Sequence, residues 1–267
     1  MNYTAMKMTV KNDAGCDVHH VSRFLAIYAS HLWSYGATCI RIKKNVNRIA
    51  RTLDCEVDIT ILPQHVTVAC VGEGGEYSQY TTPTPALPVS YRANAQLSGL
   101  SWQIAQGQIT LLEAEEEFKK INAEKHIDVW RVMILVVFAN ASFCRLFGGD
   151  IVAMLIVGVA TLLGYSIKNI CLSNKVDLRV MVFCSSFIAA VVGTAGYLFG
   201  HTSTPDIALG TSVLFLIPGI PYINSVSDMI EGHYICFFSR FMQAVIHTAC
   251  IAAGLTLAYY AMNIKVF

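Results

Sequence analysis

The residues best suited to bind a solute lie in one stretch near the C-terminal end of the chain, between Leu216 and Arg240. Three of them are helix breakers: Pro218, Gly219 and Pro221. Four others are polar or charged: Asn224, Ser225, Asp228 and Arg240. Helix breakers and unlike charges are costly at membrane depth, so within apolar sequence they indicate a functional site. The alternative interpretation is a kinked helix followed by a short charged loop.

A polar stripe continues beyond this stretch. Arg240, Gln243 and His247 are three and four residues apart, a spacing that places them on one helical face. Polar groups on an otherwise apolar helix should face a bundle interior or a water-filled path. Arg240 could instead extend to the lipid headgroups. His247 could take part in proton coupling or form an interhelical hydrogen bond.

The sequence gives no support to catalysis or metal binding. The nine cysteines include no Cys-x-x-Cys pair, and no histidine stands at metal-ligand spacing from them. Histidines, aspartates and serines near the N-terminus could form a hydrolase triad, but no Gly-x-Ser-x-Gly or comparable context accompanies them. We therefore predict no enzyme activity, no cofactor and no metal site.

Composition predicts a membrane protein. Of the 267 residues, 54% are hydrophobic and 14% charged, and the mean hydropathy is +0.50. Residues 1–126 contain 12 basic residues (Lys and Arg) and 12 acidic residues (Asp and Glu). Residues 127–267 contain only 7 basic and 6 acidic residues. We interpret residues 1–126 as a soluble head and residues 127–267 as the membrane domain. A net charge of +1 argues against a nucleic-acid-binding protein.

The membrane domain contains apolar segments long enough to cross a bilayer, which takes about 20 residues. They are predicted at residues 129–147, 151–170, 178–199, 207–227 and 235–262. Residues 206–217 make about 18 Å of helix before Pro218, so the fourth segment should break partway across the membrane. Lysine and arginine concentrate before the first segment and between the second and third, which predicts a cytoplasmic N-terminus.

The head is predicted to mix helices with a small sheet. Apolar spacing indicates helices near 18–36 and 39–53, and period-two alternation indicates a hairpin at 56–61 and 66–71. Two further helices are expected at 91–106 and after the capping-box sequence at 110–113. One helical face carries basic residues: Arg41, Lys44, Arg48 and Arg51. That face could bind anionic headgroups or an anionic solute, or simply be solvated.

Three groups of residues resemble the bacterial threonine/serine exporter family, specifically its N-terminal half. The first is Ser34-Tyr35-Gly36-Ala37-Thr38 with Arg41 and Arg48-Ile49-Ala50, and the second is Phe147-Gly148-Gly149-Asp150. The third and most specific is Pro218-Gly219-Ile220-Pro221 with Asn224, Asp228, Gly232 and Arg240. The resemblance spans about residues 17 to 260. It implies a cytoplasmic α+β head followed by five transmembrane helices, in the bacterial inner membrane.

The resemblance also implies an activity and a partner. Family members export threonine and serine, or, in a two-subunit type, a dicarboxylate such as succinate. A second hydrophobic unit, absent from this sequence, would then come from a separate small membrane subunit. We expect a small carboxylate substrate contacted by these residues: Asn224, Ser225, Asp228, Arg240, Gln243 and His247. Self-association into a homo-oligomer is also left open.

The expected roles within the site follow from charge. Arg240 would attract a carboxylate, and Asn224 and Ser225 would supply hydrogen bonds. Asp228 would pair with an α-ammonium group or carry a coupling proton. A structural Asp228–Arg240 ion pair is the alternative. Two other functions stay open: a membrane-anchored sensor or scaffold, and a membrane-bound hydrolase.

Overall fold

A computed structural model describes residues 17–123 and 128–263 of the chain. These residues are mostly helical and include one three-stranded sheet. They form two compact units. The first comprises residues 17–123 and Ile220–Arg240, and the second comprises residues 128–219 and 241–263.

The first unit begins with two helices that the apolar spacing predicted. Helix α1 spans Val18–Ser34, and the side chain of its N-cap, Asp17, accepts a hydrogen bond from the backbone N–H of His19. Helix α2 spans Cys39–Thr52. Both helices bury their predicted apolar faces in one core. Gly36 has a φ of +85°, a conformation that favours glycine, and it turns the chain between the two helices.

The sheet contains the predicted hairpin and one additional strand. Strands β1 (Cys55–Ile61), β2 (His65–Gly72) and β3 (Tyr77–Pro83) are antiparallel, in that order. Ile59 pairs with Val68, and both side chains are buried. Helix α1 packs against β2 and β3. Residues 81–83, which begin a Thr/Pro-rich run, form the end of β3, an edge strand of the sheet.

Helices α3 (Tyr91–Ala105) and α4 (Leu111–Ala123) complete the head. Helix α3 packs against both α2 and α4. The predicted capping box at the start of α4 is confirmed: Thr110 N donates to Glu113 Oε2 at 2.8 Å, and Glu113 N donates to Thr110 Oγ1 at 3.4 Å. The Thr110 backbone N–H first, and then the Thr110 hydroxyl, which donates to the same Oε2 at 3.0 Å, lower the pKa of Glu113.

Two later helices contribute to the first unit. Helix α10 spans Gly219–Ile230 and helix α11 spans Tyr234–Ala261; α11 belongs to this unit as far as Arg240. Gly232, with a φ of +80°, lies in the short turn between them. Residues 220–240, which belong to the predicted fourth and fifth membrane segments and the stretch between them, therefore share a compact unit with the head.

The second unit consists of helices joined by short turns. In chain order they are α5 (Val129–Leu146), α6 (Ile151–Ser173), α7 (Leu178–Gly193), α8 (Ala195–Phe199), α9 (Pro205–Ser212), a 3₁₀ turn (Leu214–Leu216) and the remainder of α11. Four stretches are long and apolar enough to cross a membrane: Val129–Leu146, Ile151–Ser173, Leu178–Phe199 and Tyr234–Ala261. Large apolar side chains lie exposed along them, as at Leu135 and Phe138. An apolar exterior of this kind is what a lipid environment requires.

A fifth crossing could be formed by the pair Pro205–Leu216 and Gly219–Ile230, which is broken at Ile217 and Pro218. This break confirms the prediction that the fourth apolar segment is interrupted at Pro218. Ile217 has extended backbone angles, φ −59° and ψ 126°, because a residue before proline is driven out of the helical region. The regular helix ends earlier than predicted, at Ser212, and tightens into the 3₁₀ turn before Pro218.

Small and polar residues hold the second unit together. Asn140 Nδ2 donates to Thr161 Oγ1 at 2.6 Å and to Thr211 O at 3.2 Å. The Ser185 hydroxyl donates to Gly164 O at 2.6 Å. Interhelical hydrogen bonds and close approach at glycine are the usual means of packing helices in lipid.

Asp150, from the Phe-Gly-Gly-Asp motif, caps α6. Its Oδ1 accepts from Ala153 N at 2.6 Å, and its Oδ2 accepts from the Thr202 hydroxyl and from Ser203 N at 2.8 Å each. These hydrogen bonds, the Ala153 N–H first, lower the pKa of Asp150 to about 2. The motif therefore has a structural role as a helix cap that also ties down the segment before α9.

Candidate functional site

The four polar residues predicted between Pro218 and Arg240 are all buried. Asp228 is 1% exposed, Ser225 0%, and Asn224 and Arg240 8% each. Asn224 and Asp228 are one turn apart on α10, and Arg240 lies two turns into α11. Buried charges need partners, so the contacts of these residues decide what the site can do.

Asp228 and Arg240 form an ion pair. Arg240 Nη1 donates to Asp228 Oδ2 at 2.8 Å, a charge-assisted hydrogen bond. The short turn through Gly232 brings the two helices back alongside each other; within it, His233 N donates to the Asp228 backbone carbonyl at 2.8 Å. One of the two interpretations of the sequence had Arg240 extend toward the lipid headgroups. In the structure Arg240 is instead buried and paired with Asp228.

Asp228 also caps a helix of the head. Its Oδ1 accepts from the backbone N–H of Cys39, the first residue of α2, at 2.9 Å. Thr38, the N-cap of α2, makes no side-chain capping bond of its own. The carboxylate therefore satisfies an orphan N–H and lies at the positive end of the helix dipole.

Arg240 and Asn224 bind the turn that precedes α2. Arg240 Nη2 donates to Ala37 O at 2.6 Å, and Asn224 Nδ2 donates to Gly36 O at 2.8 Å. The guanidinium carbon of Arg240 is 3.8 Å from the centre of a Trp33 ring, a cation–π contact. We call Asn224, Asp228 and Arg240 the latch residues, because together they hold the turn of residues 36–39.

The remaining predicted site residues lie elsewhere or act locally. The Ser225 hydroxyl donates to Tyr222 O at 2.7 Å within α10. Gln243 is exposed and His247 half-buried, and both belong to the second unit. Within residues 17–123 and 128–263, the side chains of Gln243 and His247 form no hydrogen bond. The structure thus brings the latch residues together, while Gln243 and His247 lie three and seven residues beyond Arg240 on the continuous helix α11.

Several residues of this site were not identified from the sequence. Trp33 and Cys236 are the clearest: the Cys236 thiol, 2% exposed, lies 3.3 Å from Ile61 O on strand β1. The pKa of Cys39 is raised, first by a hydrogen bond with Cys236 and then by burial. Residues 34–38 belong to a family motif, but nothing in their spacing indicates that they meet residues 224–240.

The site offers no obvious metal or catalytic chemistry. Within the parts of the chain that the structure describes, no three His, Cys, Asp or Glu side chains are grouped to hold a metal ion. Every buried side-chain nitrogen and oxygen in those parts has a hydrogen-bond partner. A carboxylate ligand could reach Arg240 by replacing Asp228 or the Ala37 carbonyl, so solute binding at this site requires a rearrangement.

The fold and this site define a membrane protein with an α+β head, several apolar helices and a buried ion pair between the two helices that follow a proline break. The family model ThrE, described as "Putative threonine/serine exporter", matches residues 23–262. The chain belongs to this family. Membership assigns it to membrane transport, a non-enzymatic role.

Two curated relatives share the name "Probable succinate transporter subunit YjjP". The one from Klebsiella aerogenes is 22% identical over 239 residues, covering 89% of this chain and 92% of the relative. The one from Escherichia coli (strain K12) is 28% identical over 145 residues, covering 54% of this chain and 56% of the relative. No solved structure is significantly similar to the chain.

Proposed function

We propose that the chain is one subunit of an exporter of small carboxylate metabolites. The observation that carries the proposal is the buried Asp228–Arg240 pair, formed between the two helices that follow the break at Pro218, in a chain of the exporter family. Broken helices and buried ionisable residues are the usual sites of substrate and ion coupling in transporters.

In the proposed mechanism the ion pair is one of two states of Arg240. In the state observed, Asp228 neutralises Arg240 and the head turn is held. In the second state a substrate carboxylate takes the place of Asp228 on the guanidinium, which binds carboxylates through two parallel N–H groups. Asn224 and Ser225, released from Gly36 and Tyr222, then donate to the substrate.

The substrate decides the role of Asp228. For threonine or serine, the displaced carboxylate pairs with the α-ammonium group. For a dianion such as succinate, Asp228 takes up a proton, because two negative groups beside one guanidinium repel each other. The name of the two relatives, a succinate transporter subunit, supports the dicarboxylate, and the family description supports threonine and serine. Gln243 and His247 extend the path along α11 in either case.

The proposal includes a partner and an orientation. The relatives are named as subunits, which supports a second small hydrophobic membrane protein as partner. The distribution of lysine and arginine supports a cytoplasmic N-terminus in the inner membrane. With the broken pair counted as one crossing, the chain would span the membrane five times.

The test is metabolite release. Cells expressing this chain with and without its candidate partner are compared by profiling the medium, and the Asp228→Asn and Arg240→Lys proteins are assayed beside the unchanged chain. Arg51→Lys is the matched control, because Arg51 is an exposed arginine at the end of α2 outside the latch. Membrane insertion is checked for each protein by quantifying it in isolated membranes.

We expect partner-dependent release of a carboxylate metabolite that both latch variants abolish and Arg51→Lys does not. Full release by inserted Asp228→Asn and Arg240→Lys proteins would show that the pair is purely structural. An absence of partner-dependent release would contradict the exporter assignment and favour a membrane-anchored sensor or scaffold.

A further inference from the structure

A second polar site lies in the head, in a cleft between α2 and α3 whose charged residues are not latch residues. Its volume is about 540 Å³, enough for a small metabolite. The side chains that carry its chemistry come from both helices: Arg41, Lys44, Asn45, Arg48, Ser98 and Trp102. Three are members of the basic face that the sequence left open between a solvated surface and an anion site.

The charged side chains that line the cleft are all positive. Arg41, Lys44 and Arg48 line it, and among the described residues no aspartate or glutamate does. Solvated basic faces on helices commonly carry acidic partners one turn away, but α2 contains no acidic residue. Three cations gathered in a concave site without a counter-charge create a local positive potential that favours anions.

Arg48 is held in place within the cleft. Its Nη1 donates to Asn45 Oδ1 at 2.8 Å and to the Ser101 hydroxyl at 2.6 Å. Asn45 is 3% exposed and Ser101 0%, so these acceptors are part of the core. The guanidinium carbon also lies 3.8 Å from the centre of a Trp102 ring. Nη2 and Nε make no hydrogen bond within the described parts of the chain, so a fixed guanidinium retains unused donors.

The other groups of the cleft are accessible. Arg41 and Lys44 are exposed, and Arg41 Nη1 has a long contact of 3.3 Å with Asn94 Oδ1. Asn45 Nδ2 donates to Ser98 Oγ at 2.9 Å, and the Ser98 hydroxyl donates to no described residue. One fixed arginine, two exposed cations and a hydroxyl match the groups that proteins use to bind carboxylates and phosphates.

We propose that this cleft binds a small anion carrying carboxylate or phosphate groups, with Arg48 as the fixed ligand and Arg41 and Lys44 closing over it. The anion could be a free metabolite or the headgroup of an anionic lipid, since both present the same oxygen atoms. The site is distinct from the proposed export site and does not depend on it.

Calorimetric titration of the full chain, purified into phosphatidylcholine nanodiscs, tests the proposal. The probes are inorganic phosphate, succinate and a water-soluble short-chain phosphatidylglycerol, which separate a free anion from a lipid headgroup. The test variant is Arg41→Ala with Lys44→Ala. Arg51→Ala is its control, since it removes an exposed cation from the same helix but outside the cleft.

We expect saturable binding of at least one probe, weakened roughly tenfold for each cation removed and unchanged by Arg51→Ala. Because Arg41 and Lys44 are not latch residues, weaker binding after their substitution separates this site from the export site. Selective binding of phosphatidylglycerol with the same variant pattern would identify the headgroup as the ligand. No saturable binding of any probe by folded chain, or an equal loss in Arg51→Ala, would overturn the proposal.

Discussion

Replacing Asp228 by alanine should release the head turn from α10 and α11. The side chains of Asp228 and Arg240 are 1% and 9% exposed, so the substitution leaves Arg240 charged and buried without its counter-ion. Removing one partner of a buried pair costs about 3–5 kcal/mol. The substitution also removes the acceptor for Cys39 N, and loss of such a helix cap costs about 1 kcal/mol.

Hydrogen exchange read by mass spectrometry measures this cost locally. A loss of about 3–5 kcal/mol in local stability raises the opening constant by roughly two to three and a half powers of ten. We expect faster exchange in the peptide covering Gly219–Ile230. Alanine favours helix more than aspartate does, so intrinsic propensity would change exchange in the opposite direction. An increase therefore reports the lost long-range contacts.

Two controls make the measurement specific. The peptide covering β2, His65–Gly72, should keep its protection, because it lies in the sheet away from the latch. Asp58→Ala should change neither peptide, since Asp58 is an exposed carboxylate on β1. Unchanged exchange in Gly219–Ile230, or an equal increase in β2, would refute the claim that Asp228 holds this contact.

A double substitution separates the effect of the unpaired charge from the effect of the lost hydrogen bonds. Asp228→Leu with Arg240→Met removes both charges, and buried ion pairs replaced by apolar residues are often as stable as the original. Exchange in Gly219–Ile230 should then return most of the way to that of the unchanged chain. If the double variant is less stable than Asp228→Ala, the hydrogen bonds to residues 36–39 matter more than the charge balance.

Two further predictions concern the second unit. Because folding lowers the pKa of Asp150 from 3.8 to about 2, its stabilising effect is complete above pH 4 and is lost as the pH falls toward 2. Thermal unfolding of the Asp150→Asn protein should accordingly show a smaller drop between pH 5 and pH 2 than that of the unchanged chain, and an equal drop would contradict the role of the cap. A Cβ on Gly254 would lie 2.8 Å from the Phe183 carbonyl oxygen, so Gly254→Ala should destabilise the chain by about 1–3 kcal/mol. Gly158→Ala, whose Cβ would meet Val137 at an ordinary 3.8 Å, should not lower the melting temperature, because alanine favours helix more than glycine does. Equal melting temperatures for the two variants would contradict the close helix contact.

Local features of the fold were predictable because local sequence produces them. The starts of α1 and α4 follow from Asp17 and from the Thr110–Glu113 capping box. The hairpin follows from period-two alternation, and the break follows from Pro218. The apolar segments were found because their composition alone requires lipid. Each signal acts within a few residues, so one sequence suffices to read it.

The role of the basic face of α2 could not be predicted from local sequence. Helical spacing aligned Arg41, Lys44 and Arg48, but could not distinguish a solvated face from a binding site. The difference is made by α3, which packs beside α2 and brings Ser98 and Trp102 against the cations. Spacing defines a face; whether that face lies in a cleft depends on another helix.

By itself the sequence determined which residues are chemically unusual: the helix breaker Pro218, and the polar or charged residues Asn224, Asp228 and Arg240 within apolar sequence. Their partners were decided by the tertiary structure. Asp228 binds the N–H of a residue 189 positions away, and Arg240 a carbonyl 203 positions away. Contacts at such separations leave no periodic pattern in one sequence. They exist because folding brings the turn before α2 against α10 and α11, where buried charges must find partners.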